Sequence, residues 1–553
     1  AHKAGCGTFA LHGLGRILAL ALLAVAAGED VGTALRGASA DTSPVQRQQV
    51  LVFDAGSSGT RVHVFDMWLP EDPPRAHVPV FDLKVRDKQT KKVKPGLSSF
   101  AARMDLDGCQ KNIEELLAFA SQFVPKERRS STPALLKATA GLRAQPAEKA
   151  SAVLRTVRQT LASSGYKFED SWADIIKGKE EGGLAWVAAN YLHGTFAAEC
   201  LQNKVGNGGT SGSVVGPSHC KVKGQRDTLG VIEMGGGSTQ VTFKVSDDDT
   251  VTESDLFVFE TARNEKYTLY AHSYLGYGQD YAQDTVRASI PADEAEDPCY
   301  PSGYVRRQAL KATVEGQTSP LKLVHGRGDK LKCQEHIDQA LLPKLDAPGR
   351  YTSELPLRGQ FIATENFFYT QNDLSLSLDG NFIDPDVLEA AAAWACKRPY
   401  GATDSDVSAM ATGKSNPNTP NWCFGMIYQA RLLYALKVPV GAAEGEVKVR
   451  IAHQINGGDV DWALGAALVH YLAELKAEGG WEPHSTSGAL GWYVLVLMGV
   501  GVVPLLSKSS LGVRFREEVL PKVFPQGMDG LKIGQSRSVA PATKFGQSTA
   551  GVE

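Results

Sequence analysis

Apolar residues fall along this chain in three patterns, and each predicts a different element. Residues 50–65, VLVFDAGSSGTRVHVF, open with a β-branched apolar run, pass an acidic residue into Gly and Ser, and resume as an alternating run. That order predicts strand, tight loop, strand. Residues 175–192, IIKGKEEGGLAWVAANYL, break at Gly178, Gly182 and Gly183, after which Leu184, Val187, Ala188, Tyr191 and Leu192 recur at helical spacing, with Glu180 and Glu181 at the predicted helix start. The third pattern is uncharged and unbroken, as ILALALLAVAA at 17–27 and ALGWYVLVLMGVGVVPLL at 489–506.

The first pattern occurs twice. Residues 229–243, LGVIEMGGGSTQVTF, superpose on the earlier segment with a shift of 179, Val52 on Val231, Asp54 on Glu233, Gly56 on Gly235, Thr60 on Thr239 and Val62 on Val241. Glycine loops let backbone N–H groups converge into a nest that holds an anion, and Ser57, Ser58, Thr60, Ser238 and Thr239 add hydroxyl donors. Asp54 and Glu233 close the two strands with carboxylates that repel phosphate unless a cation stands between. The matched pair therefore points to a Mg²⁺ or Ca²⁺ phosphate site with oxygen ligands and retained water. For either loop alone, an ordinary glycine hairpin is the bland alternative. Neither loop reads GxxxxGK[ST], and no GxGxxG follows a strand in a dinucleotide unit. The architecture that repeats such a phosphate binder on two related domains is the actin-like one, an α/β fold of two RNase H-like lobes with nucleotide in the cleft between them. That analogy of fold leaves the reaction open.

Between the loops, LLKATAGLR at 135–143 offers the Thr139 hydroxyl and a backbone approach at Gly141, or else a simple capping turn. Glu181 is the candidate general base, since a carboxylate beside a phosphate cleft can take the proton of an attacking water. The alternative is that Glu180 and Glu181 only complement the helix dipole. His63, His272 and His453 are isolated in sequence and read as structural.

The apolar stretch at 17–27 follows Lys3 and Arg16 and runs into Ala24, Ala26 and Ala27, the shape of a signal peptide, with a retained signal anchor as the alternative. The 18 residues of 489–506 approach the roughly 20 that cross a bilayer. Lys508, Arg514, Arg516 and Lys522 follow, so the tail is expected in the cytosol and the preceding part in the lumen or outside; a core helix is the alternative. The expected organisation is signal and linker at 1–47, first lobe at 48–180, second lobe at 181–444, a return to the first lobe at 445–478, a transmembrane helix at 489–506 and a tail at 507–553. Segments 202–227, rich in Gly and Ser, and 403–421, rich in Asn and Pro, read as surface loops.

Composition narrows the partners. With 43% hydrophobic and 22% charged residues among 553, the chain is globular. Its 58 Lys and Arg against 61 Asp and Glu make no basic field, so nucleic acid is not an expected partner. Eight cysteines include no CxxC, and for an exported chain the spacings 200/220, 299/333 and 396/423 read as disulfides. No N-glycosylation sequon occurs.

DAGSSGTR at 54–61, KATAGLR at 137–143, GKEEGGLAWVAANYL at 178–192, EMGGGSTQ at 233–240 and DVDWALGA at 459–466 resemble, in order, the five conserved regions of the apyrase, or nucleoside triphosphate diphosphohydrolase, family. YAHSYLGYG at 270–278 is also similar to a family segment. The resemblance implies hydrolysis of nucleoside tri- and diphosphates to the monophosphate, dependent on Ca²⁺ or Mg²⁺, at the cell surface or inside the secretory pathway, such as the Golgi. It implies Glu181 as general base, Ser238 and Gln240 as residues that orient the water, and Asp54 as a carboxylate that holds the metal through water. Glu233 takes the place of the second such carboxylate, where the family usually has Asp. Gly56, Ser57, Ser58, Gly59, Thr60, Arg61, Thr139, Gly235, Gly236, Gly237, Ser238 and Thr239 would contact phosphate, and Trp462 would pack beneath the cleft. For the base, the aromatic candidates are Phe368, Tyr369 and Trp422, each with plain core packing as the alternative. Rival readings are a polyphosphate or guanosine pentaphosphate phosphatase of the same fold, and a non-catalytic nucleotide-binding ectodomain.

Overall fold

The computed structural model describes residues 46–69, 80–82, 86–196, 227–261, 265–291, 294–309, 321–341, 355–373, 382–400, 419–440 and 447–477. The first repeat forms β1 (Gln46–Ala55) and β2 (Thr60–Leu69), an antiparallel pair. Val50 to Phe53 are each fully buried, so both faces of β1 are covered, which is what its unbroken apolar run requires. β3 (Val80–Phe81) and β4 (Thr90–Val93) pair with β2, while β5 (Ala134–Ala138) and β6 (Ala173–Ile175) extend the sheet in parallel from β1. Helices α1 (Leu97–Arg103), α2 (Leu106–Ala120) and α3 (Ala147–Ala162) bury Phe100, Ile113, Leu116, Val153 and Val157 in one core with Leu51, Phe53 and Leu136. Asp105 caps α2 by accepting from Gly108 N at 2.9 Å, a contact that contributes about 1 kcal/mol.

The second repeat forms β7 (Gly230–Met234) and β8 (Ser238–Lys244). With β9 (Leu256–Glu260), β10 (Lys266–Leu275), β14 (Gln360–Glu365) and β15 (Lys448–Ile451) they make a sheet ordered β15-β14-β7-β8-β10-β9. Its plan repeats the first sheet, an antiparallel hairpin flanked on the β7 side by two parallel strands. β11 (Glu296–Asp297), β12 (Val305–Ala309) and β13 (Leu321–Gly326) form a separate small sheet. β15 pairs in parallel with β14, so residues 448–451 belong to the second sheet.

Beyond β15 the chain runs into α10 (Trp462–Ala477), which packs on α4 (Gly178–His193). A Cβ at Gly465 would stand 2.0 Å from Leu184 O, so the approach requires glycine. Around these two helices one core joins Val50, Val52 and Phe65 of the first sheet to Val231, Leu269 and Ile362 of the second. The remaining described α-helices of eight residues or more are α5 (Gln279–Ser289), α6 (Lys330–Ala340), α7 (Asn366–Asp373), α8 (Pro385–Lys397) and α9 (Trp422–Ala435).

Two of the expected disulfides are formed, Cys299–Cys333 and Cys396–Cys423, and Cys109 is a buried thiol. Cys200 and Cys220 lie outside the described residues, as do 17–27, 489–506, the tail and most of 202–227 and 403–421. Among the described residues no helix is long and apolar enough to cross a membrane.

Candidate active site

The first glycine loop leaves β1 at Asp54 and is packed from behind. A Cβ at Gly96 would lie 2.5 Å from Gly56 O, and one at Gly141 would lie 2.9 Å from Ser57 Cα. The backbone N–H of Thr139 donates to Ala55 O at 3.2 Å, bringing the 137–143 segment against the loop. Lys92 of β4 crosses over Gly59 and donates from Nζ to Ser58 Oγ at 3.0 Å. Thr60 is fully buried, and Arg61 Nη1 stands 3.7 Å from Asp54 Oδ2.

The second loop, Gly235 to Gly237, is clasped by the turn that follows β10. Gln279 N donates to Gly235 O at 2.9 Å, Asp280 N and Tyr281 N both donate to Gly236 O at 3.0 Å, and Gly276 N donates to Gly237 O at 2.9 Å. With its carbonyls held by that turn and Gly235 N donating to Ser238 O at 3.0 Å, the loop is a fixed backbone turn of the kind that can hold an anion. Thr239 Oγ1 donates to Tyr277 O at 2.7 Å. The two loops meet, because a Cβ at Gly236 would stand 2.6 Å from Ser57 Oγ, and one at Gly237 would stand 2.9 Å from Ala140 Cβ.

Glu181 enters this meeting point from the first turn of α4, 6% exposed. Arg143 Nη2 donates to Glu181 Oε2 at 2.7 Å and to Ser238 Oγ at 3.2 Å, while Nη1 donates to Ile176 O at 3.0 Å. Gln240 Nε2 donates to the same Ser238 Oγ at 2.6 Å. Two donors thus occupy the acceptor side of the Ser238 hydroxyl and leave its proton to give away. Gln240 Oε1 is buried without a hydrogen-bond partner, an acceptor with nothing to accept. Burial raises the Glu181 pKa, against Arg143 and the Gln240 hydrogen bond, which lower it.

Four more carboxylates, Asp54, Glu233, Glu365 and Asp461, act on one another, and Asp54 and Glu233 also feel Glu181. Asp54 is pushed up to about 7 by burial, opposed by Arg61 and reinforced by Asp461, Glu181 and Glu365. Glu233, 6% exposed, is pushed well up by burial and by Glu181, Glu365, Asp461 and Asp54, and its Oε2 has no hydrogen-bond partner. Desolvated, mutually repelling acids with an orphaned oxygen fit a cation. Among the described residues no three His, Cys, Asp or Glu side chains form a ready metal cage, so water would have to complete the ion's shell.

Several of these residues are absent from the sequence-derived set. Arg143 is 38 positions from Glu181, and its ATAGLR context shows no partner. Glu365 ends β14, whose Thr364 pairs with Glu233 of β7, and it adopts φ +57°, the left-handed region that few non-glycine residues occupy. Its signal was an acidic residue closing a β-branched run, as at Asp54 and Glu233. Asp461 caps α10 by accepting from Ala463 N at 2.8 Å and lies 3.3 Å from His63 Nε2, which ties the first sheet to α10.

The aromatic candidates separate. Tyr369 is 37% exposed, and its hydroxyl is pushed up to about 12 by burial and then by the charge of Glu365. Phe368 is half-buried and stacks on His453, centroids 4.9 Å apart, with Tyr369 tilted against the same imidazole at 5.8 Å. His453, isolated in sequence, thus joins an open aromatic wall. Trp422 does not join it: it opens α9, 5% exposed, packed in the core on the second sheet, as its core-packing alternative has it. Trp462 opens α10, buried among residues of both sheets.

Two sheets of one plan, with paired glycine loops that meet and buried carboxylates near Glu181, define a mixed α/β fold. The family model of the GDA1/CD39 (nucleoside phosphatase) family matches residues 41–478, and the chain belongs to that family. It is 30% identical over 442 residues to "Probable apyrase 5" of Arabidopsis thaliana, covering 76% of this chain and 81% of the relative. It is 28% identical over 445 residues to "Ectonucleoside triphosphate diphosphohydrolase 6" of Mus musculus, covering 77% and 82%. The solved nucleoside triphosphate hydrolase structure from Neospora caninum shares the fold, with TM-score 0.53, 17% identity and coverage of 80% of this chain and 96% of that one.

Proposed function

We propose that this chain hydrolyses nucleoside tri- and diphosphates to the monophosphate and phosphate, by in-line attack of a water activated at Glu181. The observation that carries the reading is the cluster of Glu181, Arg143, Ser238 and Gln240 where the two glycine loops meet. A water there gives one proton to Glu181 and a hydrogen bond to Gln240 Oε1, while the Ser238 hydroxyl donates to its oxygen or to the phosphate. Held this way, its lone pair points at phosphorus, and the pKa of Glu181, raised by burial, suits it to take a proton near neutral pH. Backbone N–H groups of the loops, with Ser57, Ser58, Thr60 and Thr139, neutralise the charge that spreads over the phosphoryl oxygens. Asp54 and Glu233 are the residues to hold a divalent cation, Ca²⁺ or Mg²⁺, through water; when bound, the ion screens phosphate charge.

Tyr369, Phe368 and His453 would stack the base, at about 1 to 3 kcal/mol per base and with little discrimination among bases. The proposal includes export, supported by the 17–27 segment and by disulfides that persist in oxidising compartments, and anchoring in a secretory-pathway membrane through 489–506. The test is phosphate release by the full chain from ATP, ADP, GDP and UDP, with Ca²⁺, with Mg²⁺ and with chelator. Release that requires a divalent ion is expected. Nucleotide binding without release from any of the four would leave a binding module instead.

A further inference from the structure

Gln429 lies fully buried in the middle of α9, beyond the reacting groups. Its Nε2 stands 2.9 Å from Asn366 O, 2.9 Å from Thr370 Oγ1 and 3.1 Å from Gln279 Oε1. Those acceptors belong to two working parts of the site. Asn366 and Thr370 are on α7, the helix that carries Phe368 and Tyr369. Gln279 opens α5, and its backbone N–H holds Gly235 O of the second glycine loop. Asn366 closes the circuit by donating from Nδ2 to Met234 O at 2.9 Å, immediately before that loop. The neighbouring Tyr428 donates its hydroxyl to Tyr277 O in the clasping turn, and α9 begins at the Cys396–Cys423 disulfide. Gln429 Nε2 shares its two protons among three acceptors that belong to the aromatic wall and the phosphate grip, while its Oε1 is buried without a partner.

We propose that Gln429 is a positioning residue that fixes the spacing between the Phe368–Tyr369 wall and the second glycine loop, so that one nucleotide engages both at once. The inference rests on the proposed stacking of the base on that wall. A substrate with phosphates but no base uses the loops alone and does not feel the spacing. Losing the Gln429 bonds should therefore weaken nucleotides selectively.

The experiment compares the full-length wild type with Gln429→Leu and the milder Thr370→Val. ATP is the nucleotide, and inorganic tripolyphosphate is read as a substrate or as a competitive inhibitor of ATP hydrolysis. For Gln429→Leu the KM for ATP is expected to rise about tenfold, while the constant for tripolyphosphate stays within about twofold. Thr370→Val should move the same ratio in the same direction by less, and it decides the matter if Gln429→Leu does not fold. Equal losses for both ligands, or no change for ATP in a folded variant, would overturn the role of Gln429. The underlying reading fails separately, if wild type hydrolyses no nucleotide or if Tyr369→Ala with Phe368→Ala leaves the ATP KM unchanged.

Discussion

At the loop after β1, the holding groups are largely side chains and packed glycines. Lys92 reaches Ser58, Ser98 Oγ reaches Ser57 O, and Gly96 and Gly141 press from behind. At the loop after β7, main-chain N–H groups of residues 276–281 grip the carbonyls of Gly235, Gly236 and Gly237. The carboxylates differ in the same sense, since Asp54 has Arg61 at 3.7 Å and Glu233 Oε2 has no hydrogen-bond partner. A shared sequence pattern thus fixes the loop's shape without fixing its support. The first loop carries its own counter-charge, and the second is a stiff backbone cradle whose acid waits for a cation.

The sharpest contrast comes from a residue that belongs to neither loop. Glu181→Gln should lower kcat by about 10² to 10⁴ while calorimetry still shows nucleotide binding, because both cradles remain. A parallel loss of binding would mean that Glu181 supports a loop instead.

Next in size are two glycines of the second cradle, one behind the loop and one within it. A Cβ at Gly278 would lie 2.4 Å from Gly236 C, Gly237 N and Ser238 N, main chain against main chain. Gly278→Ala should therefore displace the second cradle and reduce kcat/KM by about 10²-fold. Gly236→Ala meets only the side-chain ends of Ser57 and Asp280, which can turn away, so a loss of about tenfold is expected. If Gly236→Ala were the worse of the two, the main-chain clasp would not be what holds the loop.

Cation and pH test the acids. Asp54 is raised from the ordinary 3.8 to about 7, and Glu233 is raised as well, so cation-free protein binds these protons more tightly folded than unfolded. That stabilisation is complete below about pH 4 and is lost as pH rises through 7. Melting temperature in chelator should fall between pH 5 and about 8, and added Ca²⁺ or Mg²⁺ should restore more of it at the higher pH. A shift from cation that did not depend on pH would separate these acids from the ion. The smallest effect belongs to Lys92, which is exposed and screened. Lys92→Met should raise KM only about threefold, and less in high salt.

Much of this was legible in the chain. The 179-residue shift is met by the strands themselves, since β1 ends at Ala55 and β7 at Met234. The pairs 299/333 and 396/423 follow from local spacing. Other features reversed their first meaning. Gly182 and Gly183 read as chain breaks, yet they lie inside α4, where their missing side chains admit Thr242 and Phe257 at 2.5 Å. Helix interiors pay for glycine in entropy, and here close packing against the second sheet offsets it. Trp422, beside a cysteine in a polar stretch, resembled a loop aromatic until the start of α9 buried it. The pairing of Arg143 with Glu181 was out of reach, because the pairing of β5 with β6 brings the segment after β5 beside the start of α4, and no local pattern does.

The contact of Gly465 with Leu184 O has a reach beyond packing. Leu184 follows Glu181 by three residues on one rigid rod, so a methyl group added at 465 would shove the whole rod, and with it the carboxylate that receives the water's proton. Tolerance to change in this enzyme is then a matter of leverage, and a glycine on the neighbouring helix can be as unforgiving as one that touches phosphate.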